Sequence, residues 1–113
     1  MIKTEKPWGY EELLEHNDFY VLKRLFMKKK HQCSLQYHEE KHETIYVLSG
    51  LLKLICGDDI NSLKEIILEP NDFYVIETKK IHRMFGIEDS IYLESSTNQL
   101  NDVIRIEDDY ERK

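Results

Sequence analysis

The chain has 113 residues, of which 41% are hydrophobic, and its 22 acidic residues outnumber its 16 Lys and Arg residues, giving a net charge of −6. This length predicts one domain, residues 1–113, and the hydrophobic content excludes a disordered chain. No apolar run approaches the ~20 residues that a membrane-spanning helix needs, and the first residues do not resemble a signal peptide. We therefore expect a cytoplasmic protein in which Cys33 and Cys56 are buried free thiols, with no membrane partner.

Basic side chains are concentrated in two places on this acidic chain. Residues 19–38 contain five Lys or Arg and no Asp or Glu, and Lys79, Lys80 and Arg83 surround His82. The sequence contains no motif of a nucleic-acid-binding protein, so we predict no nucleic-acid partner. Two interpretations remain open: the lysines are solvated beside turns, or they steer a small anionic ligand such as a phosphate ester.

Short runs of β-branched and aromatic residues, separated by turn residues, predict strands along most of the chain. In chain order they are residues 19–27, 44–48, 51–56, 63–68, 73–76 and 91–93. Residues 10–14 show a weak helical pattern. Many short strands at regular spacings, punctuated by turn signals, predict an all-β sandwich or barrel.

The segment at residues 44–48 is apolar on both faces. Ile45 and Val47 project from one face of the predicted strand, and Tyr46 and Leu48 project from the other. One face can form the core of the barrel, but the other must be covered by a second sheet or a second subunit. This pattern predicts a homodimer.

Four potential metal ligands have a spacing that suits neighbouring strands. Gln36 and His38 are separated by one residue, so both project from the same face of an extended strand. Glu43 follows after a short turn, and His82 would complete the site from a paired strand. A neutral oxygen, two imidazole nitrogens and one carboxylate suit a divalent first-row metal and leave coordination positions open. We therefore predict a metal site formed by these four residues.

The same four residues resemble the two sequence motifs of the cupin superfamily. Gln36-x-His38, four residues, Glu43, six residues and Gly50 are similar to the first motif, with Gln in the first His position. His82 lies where the second motif contributes its His. The resemblance implies a cupin-type double-stranded β-helix, which is a jelly-roll barrel with a metal ion inside.

A narrower resemblance runs almost from end to end of the chain. Residues 6–11, 34–38 and 102–110 look like the corresponding segments of the cupin domain of type II mannose-6-phosphate isomerases, which also carry Gln in the first His position. The chain differs from that family at three positions where the motifs normally have glycine. Lys30, Asn71 and Lys79 occupy those positions here.

The resemblance implies a metal-dependent aldose–ketose isomerase or epimerase acting on sugar phosphates in polysaccharide precursor metabolism. Lys41 shares strand parity with the carboxylate ligand and is expected to face the same cavity. Lys53 lies where related isomerases carry a basic residue, and Arg83 is expected at the rim as a phosphate contact. We predict these three as catalytic residues. The general base stays open between Glu40, His42 and a water molecule on the metal.

The alternative function is a non-catalytic cupin that binds a sugar or its phosphate. An iron-dependent dioxygenase ranks last, because Gln36 interrupts the set of three His residues that such iron sites commonly use. In each case the expected ligand is a small, anionic, sugar-type molecule. The expected cofactor is a divalent ion, with zinc, manganese, iron, cobalt and nickel all open.

Overall fold

A computed structural model describes residues 1–110 of the protein. This part of the chain contains eleven β-strands: β1 (Ile2–Lys6), β2 (Gly9–His16), β3 (Val21–Met27), β4 (Leu35–Tyr37), β5 (Glu43–Ser49), β6 (Leu52–Gly57), β7 (Lys64–Leu68), β8 (Phe73–Ile76), β9 (Ile81–Gly86), β10 (Ser90–Ser96) and β11 (Ile104–Glu107). Within these residues no helix has the length and apolar character needed to cross a membrane. Both cysteines are buried free thiols, as predicted.

The strands form two antiparallel sheets that enclose one apolar core. The larger sheet has the order β1-β2-β3-β10-β5-β8, and the smaller sheet has the order β11-β4-β9-β6-β7. Both sheets contribute fully buried side chains to the core, including Met27, Ile45, Val47, Leu52, Leu54 and Tyr92. Two packed antiparallel sheets of this kind are the double-stranded β-helix that the cupin resemblance implies. The predicted all-β jelly-roll fold is therefore confirmed.

The prediction for residues 10–14 is wrong, because these residues lie in strand β2. Tyr10 pairs with Phe26 of β3 on one side, and Glu11 pairs with Thr4 of β1 on the other. Cross-strand pairing stabilises the extended conformation here, and this outweighs the weak helical pattern. The strand predicted at residues 19–27 begins only at Val21. Phe19 and Tyr20 lie in a turn instead, where their backbone N–H groups donate to Asn17 Oδ1.

Side chains in the larger sheet alternate between buried and more exposed positions, and two charged side chains occupy buried, inward positions. Strand β3 buries every second residue from Val21 to Met27, and Lys23 is one of them. Strand β10 buries Glu94 in the same way, and Glu94 is directly paired with Lys23. Charged groups are rarely buried unless they are paired, so these inward charges mark this face as a candidate functional site.

Candidate metal centre and cavity

Three buried side chains from separate parts of the chain converge between the two sheets. His38 directly follows β4, Glu43 begins β5, and His82 lies in β9. Their ligand atoms all lie within 4.8 Å of one another. His38 Nε2 lies 2.8 Å from Glu43 Oε1, and His82 Nε2 lies 3.3 Å from the same oxygen. The structure thus brings together three of the four predicted ligands.

Hydrogen bonds on the far side of each imidazole fix how the ring faces the cluster. His38 Nδ1 donates to the backbone carbonyl of Asp102, and His82 Nδ1 donates to the carbonyl of Lys80 at 2.8 Å. With Nδ1 turned toward a carbonyl, each ring directs its Nε2 toward the centre of the cluster. This is the arrangement by which metal-binding histidines are usually oriented.

The donor set fits a divalent metal ion. Glu43 Oε2 and His82 Nε2 are buried and have no hydrogen-bond partner, although unpaired buried polar atoms are costly. Burial opposes ionisation of Glu43, but contacts with His38, His82, Glu94 and Lys41 outweigh it and hold the pKa of this carboxyl well below its usual value. Two imidazoles and one carboxylate could therefore hold a first-row ion and leave positions open for a ligand.

Gln36 lies beside this cluster. Gln36 is the direct cross-strand partner of His82, and its side chain lines the adjoining cavity together with His38. Gln36 Oε1 accepts a hydrogen bond from Ser34 Oγ at 2.6 Å. Its role as the fourth ligand stays a prediction.

Asp102 holds the segment that carries two of the ligands, and the sequence did not single it out for this role. Its carboxylate accepts hydrogen bonds from the backbone N–H groups of Glu39, Glu40 and Lys41 at 2.7–3.0 Å. Burial raises the pKa of Asp102, but these three bonds outweigh burial and lower it overall. The residue thereby fixes the turn between His38 and Glu43.

A cavity of about 470 Å³ opens next to the metal ligands and is lined by both sheets. Its lining includes four basic side chains (Lys6, Lys23, Lys41 and Arg105), two carboxylates (Glu11 and Glu94), and Gln36 and His38. The wall also contains apolar groups such as Trp8, Leu25 and Tyr92. Polar and charged groups that converge in a partly apolar cavity are typical of a small-molecule site.

Lys41 and Glu94 form a buried ion pair in this cavity. Lys41 Nζ lies 3.6 Å from Glu94 Oε2, and both side chains are less than a tenth exposed. Burial, and then repulsion by Glu43, raise the pKa of Glu94 to about 8 against the opposing effect of Lys41. Burial alone would lower the pKa of Lys41, but the nearby carboxylates of Glu94 and Glu43 raise it. Lys41 lines the cavity from the segment before β5, where its backbone N–H is held by Asp102.

Lys53 and Arg83 do not line the cavity. Lys53 Nζ lies 3.3 Å from Glu65 and over the ring of Phe85, on the outer side of the smaller sheet. Arg83 Nε donates to the carbonyl of Cys33 at 3.1 Å, and its guanidinium faces Glu107 and Asp109. These positions follow from strand alternation, since neighbours of inward residues point outward. The catalytic roles predicted for Lys53 and Arg83 gain no support from where they lie.

Neither side chain that we named as a candidate base reaches the cavity lining. Glu40 and His42 are both exposed in the turn before β5. Of the two carboxylates that line the cavity, Glu94 is the one paired with Lys41. The signal in the sequence was its alternation with Tyr92 and Ser96 in a strand-forming run, which our prediction ended at residue 93.

Comparison with known proteins agrees with this architecture. The family model described as "Mannose-6-phosphate isomerase C-terminal" matches residues 2–108. Xanthan biosynthesis protein XanB of Xanthomonas campestris pv. campestris (strain B100) is 25% identical over 120 residues, covering 97% of this chain and 24% of that protein. The chain thus spans about a quarter of the length of this relative.

Two solved structures have the same fold. The capsular polysaccharide assembling protein CapF from Staphylococcus aureus superposes with a TM-score of 0.82 at 14% identity, over 94% of this chain and 31% of that one. KdgF from Halomonas sp. superposes with a TM-score of 0.78 at 14% identity, over 89% of each chain. The fold is shared with both, and the family match covers nearly all of the sequence. The chain therefore belongs to the mannose-6-phosphate isomerase C-terminal family, within the cupin fold.

Proposed function

We propose that the protein is a metal-dependent isomerase or epimerase of a small anionic sugar, with a sugar phosphate as the first candidate. The observation that carries this proposal is the buried cluster of His38, Glu43 and His82, which adjoins a cavity containing the Lys41–Glu94 pair. The metal, bound by these three residues with Gln36 as a fourth ligand, would be one of the first-row divalent ions.

The chemistry needs a proton carrier and a way to stabilise negative charge. In an aldose–ketose isomerisation, a base takes the proton from C2 and returns it to C1, while a hydroxyl proton moves from O2 to O1. A bound divalent ion supplies Lewis acidity at these oxygens. Lys41 would donate hydrogen bonds where the enediolate charge develops. Glu94, which lies beside Lys41, is the side chain positioned to move the proton.

The named relative supports a role in carbohydrate metabolism. XanB is described as a xanthan biosynthesis protein, and xanthan is a polysaccharide. Because the chain covers only a quarter of XanB, the relative supports the substrate class and does not transfer a complete activity. We further propose a cytoplasmic location, where activated sugar precursors are made.

We also propose that the protein forms a homodimer through the outer face of the larger sheet. Tyr46 of β5 pairs directly with Phe73 of β8 on this face, and Leu48 and Val75 lie nearby. These four side chains are between 37% and 64% exposed. An exposed apolar patch on a sheet typically marks an interface between proteins.

The metal site is tested by elemental analysis of the purified protein. We expect stoichiometric divalent metal in the natural protein and its loss in a His38→Ala, Glu43→Ala double variant. Glu15→Ala, His16→Ala is the matched control, because it removes an exposed Glu and His from the end of β2. Metal retained in the first variant would exclude this ligand assignment.

The reaction is tested by following exchange of the C2 proton of aldose phosphates in deuterium oxide, with several divalent ions. We expect metal-dependent exchange with at least one sugar, reduced about 10²-fold or more in Glu94→Gln, which removes the proposed proton carrier while keeping its size. Lys3→Met, on the outer face of β1, should leave the rate unchanged. If ligands stabilise the protein against heat but no sugar phosphate exchanges or turns over, the protein is the non-catalytic sugar-binding cupin.

A further inference from the structure

A row of charged side chains crosses the inner face of the larger sheet, starting from the metal ligand Glu43. The row passes through adjacent strands in the order β5, β10, β3, β2 and β1. It contains Glu94 in β10, Lys23 in β3, Glu11 in β2 and Lys6 in β1, and the last four line the same cavity. Only the metal-proximal part of this row is used by the proposed reaction.

The outer end of the row is a compact group of two ammonium groups around one carboxylate. Glu11 Oε1 lies 3.3 Å from Lys23 Nζ and 4.0 Å from Lys6 Nζ. We call Lys6, Glu11 and Lys23 the basic pole. Each ammonium group has three N–H donors, so the shared contact with Glu11 leaves donors available for a further acceptor.

Depth in the cavity separates the basic pole from the metal ligands. The side chains of Lys6, Glu11 and Lys23 are 25%, 21% and 11% exposed, whereas that of His38 is 3% exposed and that of Glu43 is 1% exposed. Neighbouring strands are ~4.8 Å apart, so β3 lies about 10 Å across the sheet from β5. A ligand whose reacting end is at the metal would therefore place its far end at the basic pole.

The charge of the cavity favours an anion at that end. The protein as a whole is acidic, with a net charge of −6, yet four basic side chains line the cavity against two carboxylates. A cavity with an excess of basic side chains attracts small anions, even where the protein as a whole is negative. Glu11 partly neutralises the two lysines and keeps them oriented while no anion is bound.

We propose that the basic pole binds the anionic group of the ligand, a phosphate or a carboxylate, while the sugar oxygens face the metal ligands. This rests on the proposed binding of a sugar-type ligand in the cavity, and it assigns to Lys23 and Lys6 the role of recognising the charged end. Ligand affinity then depends on these two lysines independently of any reaction.

The proposal is tested by calorimetric titration of the full chain with mannose 6-phosphate, mannuronate and mannose. We expect Lys23→Met, which keeps most of the buried aliphatic stem, to weaken binding of the preferred anionic sugar at least tenfold. Lys6→Met should weaken it less, because Lys6 is more exposed. The matched control is Lys3→Met, whose side chain lies on the opposite face of β1 over the ring of Tyr10.

A variant with the opposite expected sign keeps the test decisive if Lys23→Met fails to fold. Glu11→Gln removes the competing carboxylate, and we expect several-fold tighter binding of the anionic sugar with no change for mannose. Preference for mannose 6-phosphate identifies the anion as a phosphate, and preference for mannuronate identifies it as a carboxylate. Binding that is absent, or insensitive to both Lys23→Met and Glu11→Gln, would overturn the proposal.

The outcome is separable from that of the proposed reaction. If anionic sugars bind in a Lys23-dependent way but none undergoes exchange, the basic pole stands and the isomerase proposal falls. If a sugar phosphate turns over but Lys23→Met leaves its affinity unchanged, the isomerase proposal stands and the basic-pole proposal falls.

Discussion

Asp102 links the end of the chain to the candidate metal centre through two different parts of the same residue. Its carboxylate binds three consecutive N–H groups of residues 39–41, and its backbone carbonyl accepts the Nδ1 proton of His38. One residue thus fixes both the turn and the orientation of a ligand ring. Groups of this kind, which hold metal ligands without touching the metal, tune metal affinity.

We expect Asp102→Ala to weaken binding of the divalent ion by about 10- to 100-fold, because residues 39–41 lose their anchor. Asp102→Asn, which keeps one carbonyl oxygen as an acceptor, should have an intermediate effect. The affinity is measured by competition with a chromogenic chelator. Asp58→Ala is the control, since Asp58 is an exposed carboxylate that contacts Lys80. Equal affinities in Asp102→Ala and Asp58→Ala would show that Asp102 has no part in holding the site.

At the scale of strands and turns, three turns keep a left-handed backbone without glycine. Lys30, Asn71 and Lys79 have φ values of 65°, 76° and 68°. These are the positions at which the resemblance implies glycine, the residue that adopts a left-handed conformation without steric cost. Lys79 N also donates to the carbonyl of His38 at 2.7 Å, which ties the turn before β9 to the segment after β4.

Lys79→Gly should raise the free energy of unfolding by about 0.5–1 kcal/mol. The left-handed conformation costs a non-glycine residue roughly 1–2 kcal/mol, and the extra freedom of glycine in the unfolded chain cancels part of that gain. Lys79→Ala is the matched control and should change little, since alanine carries a similar backbone penalty. Urea denaturation measures the difference. A glycine variant less stable than the alanine variant would contradict this account of the turn.

Two more strand-scale features explain why some elements were missed by sequence. Strands β1 and β11 are short and carry charged residues, so their hydrophobic pattern is weak, and they form by pairing with β2 and β4. Strand β9 was predicted only from the expected position of His82, because the charged Arg83 interrupts the apolar residues of Ile81–Gly86. Such strands depend on their neighbours in the sheet more than on their own composition.

At the scale of the whole molecule, the outer face of the larger sheet and its inner face differ in the side chains that they carry. The inner face contains the core and the charged row, and the outer face carries the exposed apolar side chains of β5 and β8. That residues 1–113 act as a single domain stays a prediction. The proposed homodimer would cover the outer apolar face without closing the cavity on the other face.

We expect the protein to sediment as a dimer, and Phe73→Arg to shift it to monomers with at least a 100-fold weaker association. The reason is that Phe73 is 64% exposed and pairs with Tyr46, so a charge there would be buried without a partner in a dimer. Phe19→Arg is the control, because Phe19 is 84% exposed in the turn before β3. A natural protein that sediments as a monomer at micromolar concentration would exclude this interface.

The amino-acid sequence by itself determined the family, the all-β class and the residues His38, Glu43 and His82 that the structure brings together. The motif carries this information in its spacing: Gln36 and His38 were expected to share a face by strand alternation, and Glu43 and Gly50 follow at fixed distances. The inward position of Lys41 was also predicted, although Lys41 lies before β5 in the turn that Asp102 holds.

His82 was predicted from the resemblance, but only the tertiary structure decided that Glu94, Lys23 and Asp102 lie around that site. Strand β10 lies between β3 and β5, and this order alone brings Glu94 beside Lys41 and Lys23 beside Glu94. Asp102 meets residues 39–41 because the chain returns to the smaller sheet at β11. The physical reason is that the alternation of side chains along a strand depends only on the local sequence, whereas the order of strands in a sheet depends on the burial of the whole core.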